Sequence, residues 1–594
     1  MNKKKAAAFY VISFFLAFFS KKTIFIAFAQ ENSLQVQEVL ANYNTSWTSV
    51  LPGNVICEPA ITSYGFCIAT DARNLMGYSS TGMLLWEKNI GRVKNITLTC
   101  LPGDFILFYD RNSGILKLFN PSGSELWTYS PEFKLINDIL PGRDGRFFIY
   151  GEDSVECLGI NGKSKWSIKT PFQKNLNAQE LPDGSIIIFL NDEDGKTKGL
   201  RISPFGELLE NITFAGSIIK SDTCSQGILL TFTDGSAGLF SLKNGLSESC
   251  WVSEVKNGSP YFLASADCQK YLLLSLEKNN ITIYRLNSSD GSVHSSKKIY
   301  GIDGTGLLKA ELSDKGLILA DSDKALFLDD DFHEIWSAKI PQNVKNKEIS
   351  YLGYLNDDYL VFFSKSWSMY AYHTIQSTKN KNTVLKNIQS DYSSFVKIDL
   401  NEFNYYTKAG FYSSLKDPNR EKQILNGNYG KTEEEWLGQM LSIARLYTLD
   451  STSSDFGIHV ENSVFNTDSA GFETILYQLA LLCTDQSQAA CADIISKSTS
   501  RVYCRTILSN LTGYDPDGKI LDAIQRNILK AGNKDTAYFN TVCDAVYSIC
   551  YFMGRPAYNT KGKDILKTFM GTGYPSETRT HARNTLKKII ALEL

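Results

Sequence analysis

Short apolar bursts alternate with polar turns over residues 45–373, and the spacing lengthens to a helical period towards the C-terminus. One unit shows the plan. Residues 104–109 are rich in Phe, Ile and Leu, and Arg111 to Gly114 turn the chain. Residues 115–119 form the next burst, and Asn120 to Gly123 turn it again into 125–128. The following unit repeats this through 145–150, 154–159 and 165–168. Strands of this length, rich in Val, Ile, Phe and Tyr and separated by turn residues, predict antiparallel meanders.

The turn into the last strand carries a motif. Gly82, Gly123 and Gly162 each stand four residues before Trp86, Trp127 and Trp166, and Phe332 replaces the glycine before Trp336. Weaker copies keep the turn at Gly206, Gly245 and Gly291. From Gly82 to Phe332 the intervals are 41, 39, 44, 39, 46 and 41 residues. A fixed period near forty means one supersecondary unit stacked on itself, and a four-stranded sheet at that period predicts a β-propeller. Glycine supplies the positive φ of the tight turn, and the tryptophan ring is placed to fill the gap between neighbouring sheets. Eight inner-strand groups follow one another, near 54, 95, 134, 175, 217, 258, 304 and 349. The last lacks its final strand, whereas Trp47 lies 39 residues before Trp86 with no sheet ahead of it. The expected fold is therefore an eight-bladed β-propeller whose N-terminal strand, around 45–51, closes the last blade and removes its exposed edge.

The Gly82/Trp86, Gly123/Trp127 and Gly162/Trp166 pairs resemble the pyrroloquinoline-quinone-type (PQQ-like) propeller repeat, over roughly 45–373. Blades four to six depart from it, with Glu210 and Ser295 where tryptophan is expected and Trp251 displaced by two. The resemblance implies the propeller fold. It is shared by quinoprotein dehydrogenases and by the propeller subunit of the bacterial outer-membrane barrel assembly machine, and does not choose between them.

Residues 374–394 are polar and lysine-dotted, which reads as a linker to a helical domain over 395–594. Thr432 with Glu435 forms a capping box, and helices are expected at 472–483, 489–496, 502–511, 515–529, 535–552, 563–570 and 576–592. Short helices in pairs with brief loops resemble HEAT-type repeats, an α-solenoid; a compact bundle is the other arrangement they allow.

Charge adds little, since a formal net charge of −2 gives no basic face for nucleic acid. The N-terminus adds more. Lys3 to Lys5, an apolar run over 6–19 and Ala27-Phe28-Ala29 read as a signal peptide covering 1–29, with a mature start at Gln30. Lys21 and Lys22 divide the apolar stretch into pieces too short to span a bilayer. This places the protein in the periplasm or outside the cell. Twelve cysteines permit disulfides there. Cys57 and Cys67 flank the first hairpin and could face each other, while Cys543 and Cys550 share a helical face as core thiols.

Chemistry-bearing motifs are missing from the sequence. It has no Cys-Cys pair of the quinoprotein kind, no Cys-x-x-Cys-His, no His-Glu-x-x-His, no Gly-x-Ser-x-Gly and no phosphate-binding glycine loop. His294, His333, His373, His459 and His581 stand at no metal-ligand spacing. The acidic runs at 191–194 and 329–331 read as solvated turns. No catalytic, cofactor-binding or metal-binding residue is nominated and no cofactor is expected. The sequence reads as a non-enzymatic, exported scaffold that binds partner proteins. The alternative is an enzyme or ligand sensor with a site in the central funnel.

Overall fold

Eight four-stranded antiparallel sheets stand where the forty-residue period puts them. A computed structural model describes residues 46–373 and 476–593, apart from short stretches within each, the longest being 171–176, 340–348 and 529–534. The expected signal peptide, the linker and the capping box at Thr432 lie outside the described residues. Blades 1 to 7 each take four consecutive strands. Blade 8 takes Ile349–Tyr354, Tyr359–Ser364 and Ser368–His373, and is completed on its outer edge by Trp47–Val50. Trp47 pairs with Ala371 and Val50 with Ser368, antiparallel. The chain is thus closed across more than three hundred residues, as the sequence predicts.

Each blade's second and third strands read as almost continuous apolar runs because both of their faces are covered by neighbouring blades. In Phe105–Asp110 the alternation splits the side chains: Phe105, Leu107 and Tyr109 face one buried cluster, Ile106 and Phe108 another. Outer strands are mostly exposed, as Leu84–Asn89 illustrates.

The recurring motif works between blades, not within one. The Trp47 ring lies where a Cβ on Gly82 would be, at 2.6 Å, and its indole donates to Ser80 O at 3.1 Å. Trp127 does the same to Gly162 and Ile160 O, and Trp166 to Gly206 and Pro204 O, with bonds of 2.8 and 2.9 Å. Trp251 packs on Gly291 and donates to Ser288 O at 3.2 Å. So each of these tryptophans latches onto the turn of the next blade, and where a glycine stands four residues before a tryptophan, as at Gly82, Gly123 and Gly162, it receives the tryptophan of the preceding blade. These glycines have φ near +80° and no room for a Cβ, so both of glycine's properties are used.

One expectation about the irregular blades is corrected. Trp251 is not displaced in space: it pairs with Leu239 as Trp166 pairs with Cys157 and Trp127 with Leu118, because a longer turn absorbs the extra residues. In the two blades without tryptophan, an arginine stands directly across from the vacant position, Arg201 opposite Glu210 and Arg285 opposite Ser295. Arg201 is buried and bonded to Glu210 at 2.7 Å. The Arg285 guanidinium lies 5.1 Å from the Phe332 ring of the next blade, where Phe332 keeps the left-handed turn at φ 59° without a glycine. Cation–π stacking there takes over the tryptophan's slot.

The helical domain contains α1 (Asp485–Lys497), α2 (Arg501–Asn510), α3 (Lys519–Ile528), α4 (Thr536–Met553), α5 (Pro556–Phe569) and α6 (Ser576–Ala591). Helix α1 starts four residues earlier than the sequence suggests, through a capping box of Thr484 with Ser487. Helix α5 starts at Pro556 and not near 563, because proline is pre-organised for a first helical position. Gly562 then lies inside it, where a Cβ would come 2.5 Å from Cys550 Sγ, so the glycine lets α5 press onto α4. Among the described residues no helix is long and apolar enough to cross a membrane.

Candidate interaction surface

Three consecutive residues set the geometry between the two domains. Gly554 ends α4 in the left-handed conformation, at φ 58°, and donates to Cys550 O at 3.0 Å. Pro556 begins α5. Arg555 between them is held extended at φ −117°, ψ 140°, the region a following proline imposes. Its side chain is thereby aimed out of the helical domain into blade 2. Arg555 Nη2 donates to Asp104 Oδ2 at 2.6 Å and to Gly103 O at 2.5 Å. Both side chains are almost wholly buried, at 4% and 7% exposure. A buried pair of this kind adds little against an apolar alternative, but removing one partner strands a charge.

Asparagines in two blade turns hold helix ends on either side of this pair. Asn120 Nδ2 donates to Tyr551 O at 2.8 Å, near the end of α4, and its Oδ1 accepts from Ser122 and Ser124 within its own turn. Asn161 Nδ2 donates to Leu481 O at 3.2 Å, in the helical stretch 479–481 that precedes the non-helical Cys483. The last carbonyls of a helix have no partner within it, so each asparagine satisfies an orphan acceptor. Between these contacts the Phe105 ring meets Tyr514 at 6.0 Å and Phe552 at 5.4 Å. One buried cluster runs without a break from blades 2 and 3 into the helices. The contacting turns follow the first and third strands of their blades, so all lie at one end of the meanders, and the helical domain seats on that face.

This seat makes the expected linker testable. Limited proteolysis of the native protein is expected to cut first within 374–394 and to leave two fragments that still co-elute on gel filtration. Earlier cleavage within 95–340 would count against the boundary, because closed blades bury their backbone groups.

Asp515 is the titratable group of this region whose environment shifts it most usefully. It is fully enclosed, and burial pushes its carboxyl up to about 6, against the Ile520 and Leu521 amides at the start of α3, which pull it down. An aspartate with a folded pKa above its unfolded one binds its proton more tightly in the native state. Its contribution is complete below about pH 4 and fades as pH rises through about 6, by on the order of 3 kcal/mol. Urea midpoints measured between pH 4.5 and 7 should therefore fall less steeply with pH in Asp515→Asn than in the native protein. Parallel profiles would remove the assignment.

The residues weighed in the sequence for chemistry are dispersed. Asp329 caps its own turn by accepting from the Asp331 and His333 amides, and Asp330 pairs with Lys270 at 2.7 Å. His581 bonds Asp544 on a helix surface, and His373 meets Tyr359 edge-on. His459 and residues 192–195 lie outside the described residues. Among the described residues no three His, Cys, Asp or Glu side chains are placed to hold a metal ion. First strands of adjacent blades pack on one another around the ring axis. Their polar groups meet across the seams: Asn177 Nδ2 donates to Ser221 Oγ at 2.9 Å, and Lys220 Nζ sits 3.6 Å from the Tyr261 ring centroid.

Cys57 and Cys67 are both free and buried; Cys67 faces Ala60, so the hairpin does not oppose the two thiols. Burial pushes Cys57, Cys543 and Cys550 up to about 12, which makes them inert core groups. Cys224 is disulfide-bonded. Exposed apolar side chains gather where the outer strand of blade 1 begins: Met83 (61% exposed) just before it, then Leu84 and Leu85. Trp367 is exposed at a left-handed position in a blade 8 turn.

Arg555, Asp104, Asn120 and Asn161 were not nominated from the sequence. The Gly554-Arg555-Pro556 triplet was the one local signal, a helix stop and a helix start with a charged residue pinned between them.

No protein-family model and no curated protein matches the chain. Solved structures do. The crystal structure of BamB from Moraxella catarrhalis is 14% identical, covering 55% of this chain and 99% of that one, with a TM-score of 0.39. The computationally designed Ika8 protein is 12% identical, covering 55% of this chain and 98% of that one, with a TM-score of 0.42. Likeness at this level carries no argument about what the chain binds.

Proposed function

We propose that this protein is an exported, non-enzymatic scaffold of the cell envelope, which binds partner proteins through its propeller turns and its helical domain. The observation that carries the reading is the seat. The propeller and the helical domain are joined through a shared core, and blade 1 of the joined body carries exposed apolar side chains at Met83, Leu84 and Leu85. Pre-organised surfaces bind without the entropic cost of ordering. We extend the proposal to HEAT-like stacking of the helices, with the propeller over 30–373 and the helical domain over 395–594. A disulfide-bonded Cys224 fits an oxidising compartment. N-terminal sequencing of protein from its native host is expected to read from Gln30; an intact Met1 on soluble protein would remove the export assignment.

The test of the scaffold reading is a comparison of captures. Tagged native protein and the Met83→Glu/Leu85→Glu variant are each cross-linked in an envelope fraction, and their partners are identified by mass spectrometry. A defined set of proteins held by the native form and lost from the variant is expected. A cofactor or small ligand that co-purifies with the ring, with identical protein captures from both forms, would favour a funnel site instead.

A further inference from the structure

The seam between blades 1 and 2 is built differently from its neighbours. At four other seams the latching indole donates to a carbonyl in the next blade's turn: Trp47 to Ser80, Trp127 to Ile160, Trp166 to Pro204 and Trp251 to Ser288. Trp86 packs on Gly123 in the same way, yet its N–H makes no bond to the corresponding carbonyl, Pro121 O. The Tyr64 hydroxyl donates to that oxygen instead, at 3.2 Å. The residue before it supplies a second tie: Ser63 donates from its backbone to Asp104 Oδ1 at 2.6 Å and from its hydroxyl to Asp104 Oδ2 at 2.5 Å. One turn of blade 1 therefore grips blade 2 at two points, Asp104 and Pro121.

Both points are held from the other side by the helical domain. Arg555 bonds the same Asp104 carboxylate, and Asn120, next to Pro121, is bonded to Tyr551 O and lies against Gly554. Asp104 is a non-glycine residue at φ 63°, a conformation that persists only where the surroundings over-determine it. Its carboxylate is buried; Arg555 is its ion-pair partner, and it accepts from the Ser63 amide and hydroxyl. We infer that the helical domain is a clamp on the seam between blades 1 and 2, acting through Arg555–Asp104–Ser63 and through Asn120 beside the Tyr64–Pro121 bond. Force or binding applied to the helices is thereby transmitted to the seam adjoining blade 1, which Trp47 ties in turn to the ring-closing blade.

Hydrogen exchange read by mass spectrometry on the full chain tests this. In Arg555→Met, peptides covering residues 60–68 are expected to exchange at least about tenfold faster, the effect of losing a charge-assisted bond. Peptides at the Trp251–Gly291 seam should be unchanged. Two results overturn the clamp: faster exchange at 551–556 with 60–68 unchanged, which means the helices lift without touching the seam, or equal acceleration in all blades, which means a general loss of stability. If Arg555→Met does not fold, Asn120→Ala cuts the second grip and leaves the ion pair intact, and the same outcomes decide.

Discussion

Deleting residues 30–52 should lower the melting temperature of the full chain by roughly 10 °C or more, for a loss on the order of 5 kcal/mol. The deletion removes the outer strand of blade 8 together with its ladder, including Ser46 N to Ala371 O and Leu51 N to Trp367 O, each 2.7 Å. It also removes Leu51, which is 2% exposed, and Trp47, which stacks on Phe66 at 6.4 Å. Emptying a large buried aromatic slot alone costs about 3–5 kcal/mol, somewhat less here because Trp47 is half-buried. Ser368–His373 would then become an open edge, a template for pairing with other chains, so oligomers should appear on gel filtration. Trp47→Ala in the full chain separates the two effects, since it empties the slot and keeps the ladder. An unchanged melting temperature on deletion would mean that the ring closes by another route.

Phe105→Ala is expected to cost about 3–5 kcal/mol and to uncouple the two domains. Phe105 is wholly buried and belongs at once to the core of blade 2 and to the seat, where it meets Tyr514 and Phe552. Its loss leaves a cavity at the point where the domains share side chains. Calorimetry should show the helical domain melting as a separate, earlier transition. Phe108→Ala is the control: the same strand, nearly as buried, but facing the cluster shared with blade 1. It should destabilise the ring without splitting the transition. If both variants behave alike, the seat does not depend on Phe105.

A contact made of single residues far apart in sequence behaves differently from one made by a period. The tryptophan latch recurs at five seams, so a perturbed one has four others to compare with. The seat occurs once, and every one of its polar anchors is individual: Arg555 to Asp104, Asn120 to Tyr551, Asn161 to Leu481. Asp104 and Arg555 are 451 positions apart, and no spacing rule relates them.

The sequence by itself determined the eight blades, the closing strand at Trp47 and the slots for the tryptophans. These follow from nearest-neighbour stacking, which writes a turn glycine, a tryptophan or both into the forty-residue units. It also determined the helical character of the C-terminal part, through apolar residues at helical spacing such as Val542, Val546 and Ile549. Only the tertiary structure decided that the glycine and tryptophan of one motif serve different seams, because adjacency in the chain and adjacency across a gap are different relations. It decided that Trp251 keeps its place despite a longer turn, since strand register and not residue count positions a ring. It also decided where the helical domain sits. A docking site is selected by shape and by the pairing of buried charge, and neither leaves a periodic trace along the chain.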